Sequence, residues 1–152
     1  MSYKLSSTFT ANVKIAAIGT MPAGELEAVF KIPTDELDKA QTDREAAAQT
    51  SLGEYTKTLL DISNDKEASA EAKQLRVQGV SLTIISASNK THQDLIRKFL
   101  EDRLIAVNGA EEEAGKPMDA AAAKKLILNS SVYRSFFFAA YTQAANDAIA
   151  KN

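Results

Sequence analysis

The spacing of apolar residues changes from period two to helical spacing at Pro33, and this change constrains the fold more than any other feature of the chain. Residues 3–15 alternate, with apolar side chains at most odd positions and polar ones at the even positions. After a connection that contains glycine and proline, residues 25–32 alternate again. Alternation of this kind predicts half-buried strands. We therefore expect an antiparallel β-hairpin over residues 1–33.

A two-stranded hairpin is only marginally stable in water by itself. Its apolar face must be covered, and helices from the rest of the chain are the preferred cover. The alternative is that an open hairpin edge pairs with another chain in an oligomer.

Residues 34–152 are predicted to form a helical part of about five helices, so the expected fold class is α+β, mostly α, in a single domain over residues 1–152. Thr34 and Asp119 stand where the N-terminal caps of helices belong, and the Asn129 to Ser131 stretch combines a helix stop with another cap. Residues 80–88 fit a short strand or the end of a helix equally well, and we favour the helix. Helical stretches are predicted over residues 34–49, 52–62, 66–78, 91–103, 120–128 and 132–150.

The composition of the chain argues against several classes of function. The chain of 152 residues has no cysteine, one histidine and a net charge of -2. The absence of cysteine excludes thiol catalysis and cysteine-based metal sites, and the mild acidity argues against a general nucleic-acid or membrane binder. The N-terminus lacks the apolar block of a signal peptide, and the apolar run at residues 136–141 is far shorter than the roughly 20 residues that span a membrane. We expect a cytosolic protein.

Catalytic machinery is not indicated. The chain has no phosphate-binding loop, dinucleotide fingerprint, nucleophile elbow or zinc-protease helix. His92 is predicted to be solvated in the first turn of a helix, and the acids at residues 111–113 to solvate a loop. We therefore predict a protein without enzymatic activity, catalytic residues, metal or cofactor.

The last predicted helix carries most of the aromatic residues. Tyr133, Phe137 and Tyr141 lie along one stripe, and Phe136 and Phe138 widen it. This helix is predicted to lie in the centre of the core or in a subunit interface.

The order of elements in the last third of the chain resembles that of the tail assembly chaperones of long-tailed bacteriophages. An amphipathic helix (residues 95–103) is followed by an apolar exit (104–107) and by an acidic stretch that ends in Gly-Lys-Pro-Met at 115–118. A short helix with Leu-Ile-Leu at 126–128 and a final alanine-tyrosine helix complete the pattern. The N-terminal hairpin also fits the family.

The resemblance implies a helper protein of the host cytoplasm that is absent from the mature virion. Such a chaperone binds the long, helical tape measure protein, keeps it soluble and helps to recruit tail tube subunits, and it is expected to be a homo-oligomer. An amphipathic helix needs an apolar groove. The residues predicted to contact the partner are Phe99, Leu100, Phe136, Phe137 and Tyr141.

Two other functions remain open at this point. One is a structural component or connector that stays in the virion, and the other is a small DNA-binding regulator that uses the helix at residues 91–103.

The final residues suggest a further property. Related chaperones are often made in a second, longer form through a backward ribosomal slip, and the added domain recruits tail tube protein. Residues 150–152, Ala-Lys-Asn, can be encoded as GCA AAA AAC, which allows such a slip, although they equally fit an ordinary polar terminus. An A-rich heptamer in the gene, with an open minus-one frame beyond Asn152, would support the slip. An AAG lysine codon, or the lack of that frame, would exclude slippage here.

Overall fold

The structure is a computed structural model, and it describes residues 5–150. It confirms an α+β fold that is mostly α, with a three-stranded antiparallel sheet and four helices among the described residues. Residues 3–4 and 151–152, which entered the sequence analysis, lie outside them. The elements are β1 (Thr8–Ile15), β2 (Gly24–Lys31), α1 (Asp35–Ser63), α2 (Ala70–Arg103), β3 (Leu104–Asn108), α3 (Ala120–Leu128) and α4 (Ser131–Ala150).

The chain packs as two compact units. The sheet unit comprises Met1–Leu37 and Ile96–Asn152, and the helical unit comprises Asp38–Leu95. Helix α2 belongs to both, because its last turns from Ile96 onward pack in the sheet unit.

In the sheet unit, β2 lies between the other two strands. The predicted hairpin is confirmed, with Thr8 opposite Lys31 and Ile15 opposite Gly24. The apolar exit after α2 is extended as expected, and it forms β3, which pairs antiparallel with β2 from Glu27–Asn108 to Phe30–Leu104. The sheet is therefore completed by residues that lie far away in the sequence, which local patterning does not reveal.

One face of this sheet packs against helices. The inward side chains of β2 are Ala28 and Phe30, both 0% exposed, and Val13 of β1 is equally buried. Helix α4 packs on β1 and α3 packs on β3. The hydrophobic effect of this burial is the main stabilising contribution to the unit. The core consists of Val13, Ala28, Phe30, Ile96, Leu100, Leu104, Val107, Ala123, Ile127, Phe137 and Tyr141.

A run of aromatic contacts joins the strands to the helices. The ring of Tyr141 lies 5.3 Å from that of Phe30 and 4.9 Å from that of Phe99, both in edge-to-face geometry. Arg103 is only 1% exposed, and its guanidinium carbon lies 4.0 Å from the centroid of the Phe99 ring. Edge-to-face rings and a cation over a ring face are both favourable geometries, so the last turn of α2 is fixed against α4.

Side chains cap the N-termini of α3 and α4 where the sequence predicts caps. The Asp119 carboxylate accepts a hydrogen bond from the Ala122 amide, and the Ser130 hydroxyl accepts one from the Tyr133 amide. At the end of α3, Arg134 donates from Nη1 to the Leu128 carbonyl at 2.7 Å. This bond satisfies a carbonyl that has no partner within the helix, and it fixes the corner between α3 and α4.

The helical unit is an antiparallel pair of long helices joined by residues 64–69. One face of α1 is shielded from solvent, with Ile62 buried and Leu52, Tyr55 and Leu59 half-buried. At the turn, hydrogen bonds from the Glu67 amide and the Arg76 guanidinium lower the pKa of the Asp65 carboxyl. The Ser69 hydroxyl accepts a hydrogen bond from the Ala72 amide and caps α2.

The prediction of about five helices with breaks near residues 50 and 90 was wrong in its boundaries. Residues 80–88 are helical, as favoured, but α1 and α2 run without interruption. The Thr50 and Thr83 hydroxyls donate to the carbonyls of Ala46 and Gly79, four residues back. Threonine hydroxyls in the middle of α1 and α2 are thus satisfied by the helix itself.

Candidate partner-binding site

The five residues predicted to contact a partner lie together in the sheet unit, in or against its core. Leu100 and Phe137 are 0% exposed and Tyr141 is 5% exposed. Phe99 and Phe136 are half-buried against the same core. Leu100, Phe137 and Tyr141 offer almost no surface to a partner, because their side chains pack within the chain.

Of the two half-buried rings, Phe136 lines a surface groove. This groove lies between β1 and α4, has a volume of about 460 Å³ and is also lined by Ala140 and Ala144. Apart from Phe136, the groove is lined by polar residues and alanines, so it provides few large apolar side chains for an anchoring residue.

A second groove of the sheet unit is richer in large apolar side chains. It has a volume of about 390 Å³ and lies between the β1–β2 connection, the β3–α3 connection and α3. We call it the methionine groove. Its large apolar lining residues are Ile15, Met21, Leu26, Met118, Leu126 and Ile127, and Tyr133 adds a phenol. Met21 and Leu126 are 51% and 48% exposed, so the groove is open to a partner.

Tight turns hold both methionines in place. Ile18 and Met21 exchange two main-chain hydrogen bonds, of 3.1 and 2.9 Å, around Gly19. Gly19 has a φ of +57°, which L side chains rarely adopt. On the other wall, the Met118 amide donates to the Ala110 carbonyl at 2.8 Å. The Tyr133 hydroxyl lies 4.0 Å from the Met21 sulfur, which links the turn to α4.

The rim of the groove is acidic. Glu25 and Glu111 line it, and Glu112 and Glu113 follow in the same exposed loop. Within residues 5–150 none of these four carboxylates is in a salt bridge. An apolar side chain flanked by lysine or arginine therefore complements the groove in both shape and charge.

The chemistry of the groove is that of binding. Its lining supplies aliphatic, thioether and phenol groups with carboxylates at the edge. Methionine is flexible and polarizable, so it adapts to differently shaped apolar partners. Among the described residues no group of three or more metal-ligating side chains occurs, and no helix is both long and apolar enough to cross a membrane.

Sequence reasoning missed this groove because its walls come from three separate segments. The sequence nevertheless contains one feature that points to the groove. Two of the chain's three methionines stand next to a proline in a connecting segment, as Met21 with Pro22 and Met118 with Pro117. Large apolar residues in connections indicate either a folded-back loop or a binding surface.

Comparison of the chain with protein-family models, with curated proteins and with solved structures gives no match in any of the three.

Proposed function

We propose that the protein is a tail assembly chaperone of a long-tailed bacteriophage. In this role it binds the tape measure protein in the host cytoplasm, keeps it soluble, helps to recruit tail tube subunits and leaves before the virion is complete. The observation that carries the proposal is the open methionine groove, which provides a preformed apolar surface with an acidic rim.

The order of elements supports the same proposal. Helix α2 leads into the extended β3, an acidic loop that ends at Pro117, the short α3 and the aromatic α4. This is the order on which the resemblance to tail assembly chaperones rests.

The geometry suits an amphipathic helix as partner. A helix lays apolar side chains three or four residues apart into a groove, and its flanking polar residues meet the rim. Met21 and Leu126 supply the exposed apolar contacts, and Glu25 and Glu111 lie where lysine or arginine of the partner would be attracted. A long helical protein with exposed apolar stripes aggregates by itself, so covering such stripes keeps it in solution.

Co-expression with the tape measure protein tests the proposal. The candidate partner is the product of the longest helical reading frame in the same gene neighbourhood. We expect the wild-type chain to keep this product in the supernatant after centrifugation and to co-purify with it. Leu126→Asp in the groove should weaken binding by roughly ten- to a hundredfold, because burial of one leucine contributes about 1.5–3 kcal/mol.

Val132→Asp is the matched control, since Val132 is similarly exposed, at 45%, but does not line the groove. Both variants should keep the wild-type circular dichroism spectrum. A partner that stays insoluble with the wild-type chain would refute the chaperone function. If Leu126→Asp bound the partner as tightly as the wild-type chain, the binding site would lie outside the methionine groove.

Mass spectrometry of purified particles separates the chaperone from a structural component. A chaperone should be missing from the particle, whereas a connector would be present at a fixed stoichiometry.

A further inference from the structure

The outer face of α2 carries large aliphatic side chains that nothing in the described chain covers. Leu75, Leu82 and Ile85 are 69%, 70% and 58% exposed. Their spacing of seven and three residues places them on one side of the helix. We call these three residues the Leu82 stripe. Residues 77–89 include no charged residue, so Leu82 and Ile85 lie in an uncharged length of helix, and Leu75 lies two residues before it.

The stripe is distinct from the seam between α1 and α2. That seam contains a cavity lined by Tyr55 and Ile62 of α1 and by Val80 and Thr83 of α2. Val80 is two residues before Leu82, and residues two apart on a helix point in nearly opposite directions. The Leu82 stripe therefore stays exposed to solvent when α2 packs against α1.

Charges at the two ends of the stripe indicate what covers it. Glu71 lies on the N-terminal side and Lys90 on the C-terminal side, and both are exposed. Lys73 and Arg76, which are also near the N-terminal end, are directed to the α1–α2 turn, where they donate to the Ser63 carbonyl and the Asp65 carboxylate. A second α2 laid antiparallel about Leu82 places Leu75 opposite Asn89 and Glu71 opposite Gln93. Lys90 of one copy then lies about 4.5 Å along the axis from the level of Glu71 of the other, within reach of an ion pair. A parallel pair would set Glu71 against Glu71 and Lys90 against Lys90.

We infer that α2 pairs antiparallel with α2 of a second copy of this chain, about a twofold axis at Leu82. This face is complementary to itself only in the antiparallel orientation, because that orientation places Lys90 of one copy near Glu71 of the other. Leu82 packs on its own copy at the axis, and the uncharged residues 77–89 form the centre of the contact. This dimer is independent of the proposed function, because its surface shares no residue with the methionine groove.

Engineered cysteines test the arrangement directly. The chain has no cysteine, so each introduced thiol reports on one position. Leu82→Cys should form a disulfide-linked dimer on mild oxidation, because the two thiols meet at the axis. Leu75→Cys should not cross-link to itself, since its copy is about 21 Å away along the helix. A mixture of Leu75→Cys and Asn89→Cys chains, tagged to differ in size, should give the heterodimer.

Sedimentation equilibrium measures the same contact without a covalent bond. We expect the wild-type chain to dimerise at micromolar concentration and Leu82→Asp to weaken the dimer roughly a hundredfold or more, since it brings two carboxylates together on the axis. Leu126→Asp, the groove variant, should dimerise like the wild type, while Leu82→Asp should still bind the partner. This double comparison separates failure of the dimer from failure of the chaperone function.

Three results would overturn the inference. Self-cross-linking of Leu75→Cys would show a parallel pair. An undiminished dimer in Leu82→Asp would place the interface elsewhere. A wild-type chain that stays monomeric up to about 100 μM, with no disulfide from Leu82→Cys, would show that the stripe stays bare.

Discussion

Replacement of Phe137 by alanine is expected to lower the free energy of unfolding by about 3–5 kcal/mol. Phe137 is 0% exposed and lies in the core between the sheet and the helices. The loss combines the transfer free energy of the ring with the cavity that it leaves. Because small domains have only about 5–15 kcal/mol of stability in total, the thermal midpoint should fall sharply when it is followed by circular dichroism.

Val132→Ala is the control on the same helix. Val132 is 45% exposed, and exposed substitutions commonly change stability by about 0.5 kcal/mol or less. If Phe137→Ala melted like Val132→Ala, α4 would be peripheral to the fold and the arrangement of the core would be wrong.

Arg103 is expected to give the second large effect. It is the largest fully buried side chain among the described residues, and its guanidinium carbon lies 4.0 Å from the centroid of the Phe99 ring. Arg103→Ala leaves a cavity and removes the cation, so we expect a loss of about 2–5 kcal/mol, as for other large buried side chains. Urea unfolding followed by circular dichroism measures the loss.

Arg103→Lys separates the charge from the shape. Lysine keeps the positive charge but lacks the planar guanidinium that stacks on an aromatic ring. We expect it to lose about 1–2 kcal/mol, less than the alanine variant but clearly measurable. Wild-type stability in Arg103→Lys would show that the charge alone is sufficient and that the stacking contributes nothing.

The sequence predicted those parts of the fold that depend on near neighbours. Alternation identified β1 and β2, and the Asp119 and Ser130 caps marked the starts of α3 and α4. The pairing of β3 with β2 was not predicted, because the apolar residues 104–107 do not indicate which strand they pair with. The helix ends predicted near residues 50 and 90 do not occur, because α1 and α2 run on without interruption.

The candidate site was harder to predict, for a physical reason. An aromatic cluster on one helix has the same sequence pattern whether it packs inside the chain or against a partner. Burial decides between the two, and Leu100 and Phe137 are inside. The methionine groove depends on three connections that meet only after folding. Its residues carry no periodicity that would predict them to be neighbours.

The position of β3 in the chain sets the timing of folding during synthesis. Residues 32–103 lie between β2 and β3, so the ribosome needs on the order of ten seconds to make them at its usual speed. During that interval the edge of β2 that receives Leu104–Asn108 is an open template for any other extended chain. The helices can form within microseconds of leaving the ribosome, whereas the sheet must wait for its last strand. Nascent chains are therefore most prone to mispairing while α1 and α2 are being made, and that hazard ends when β3 closes the edge.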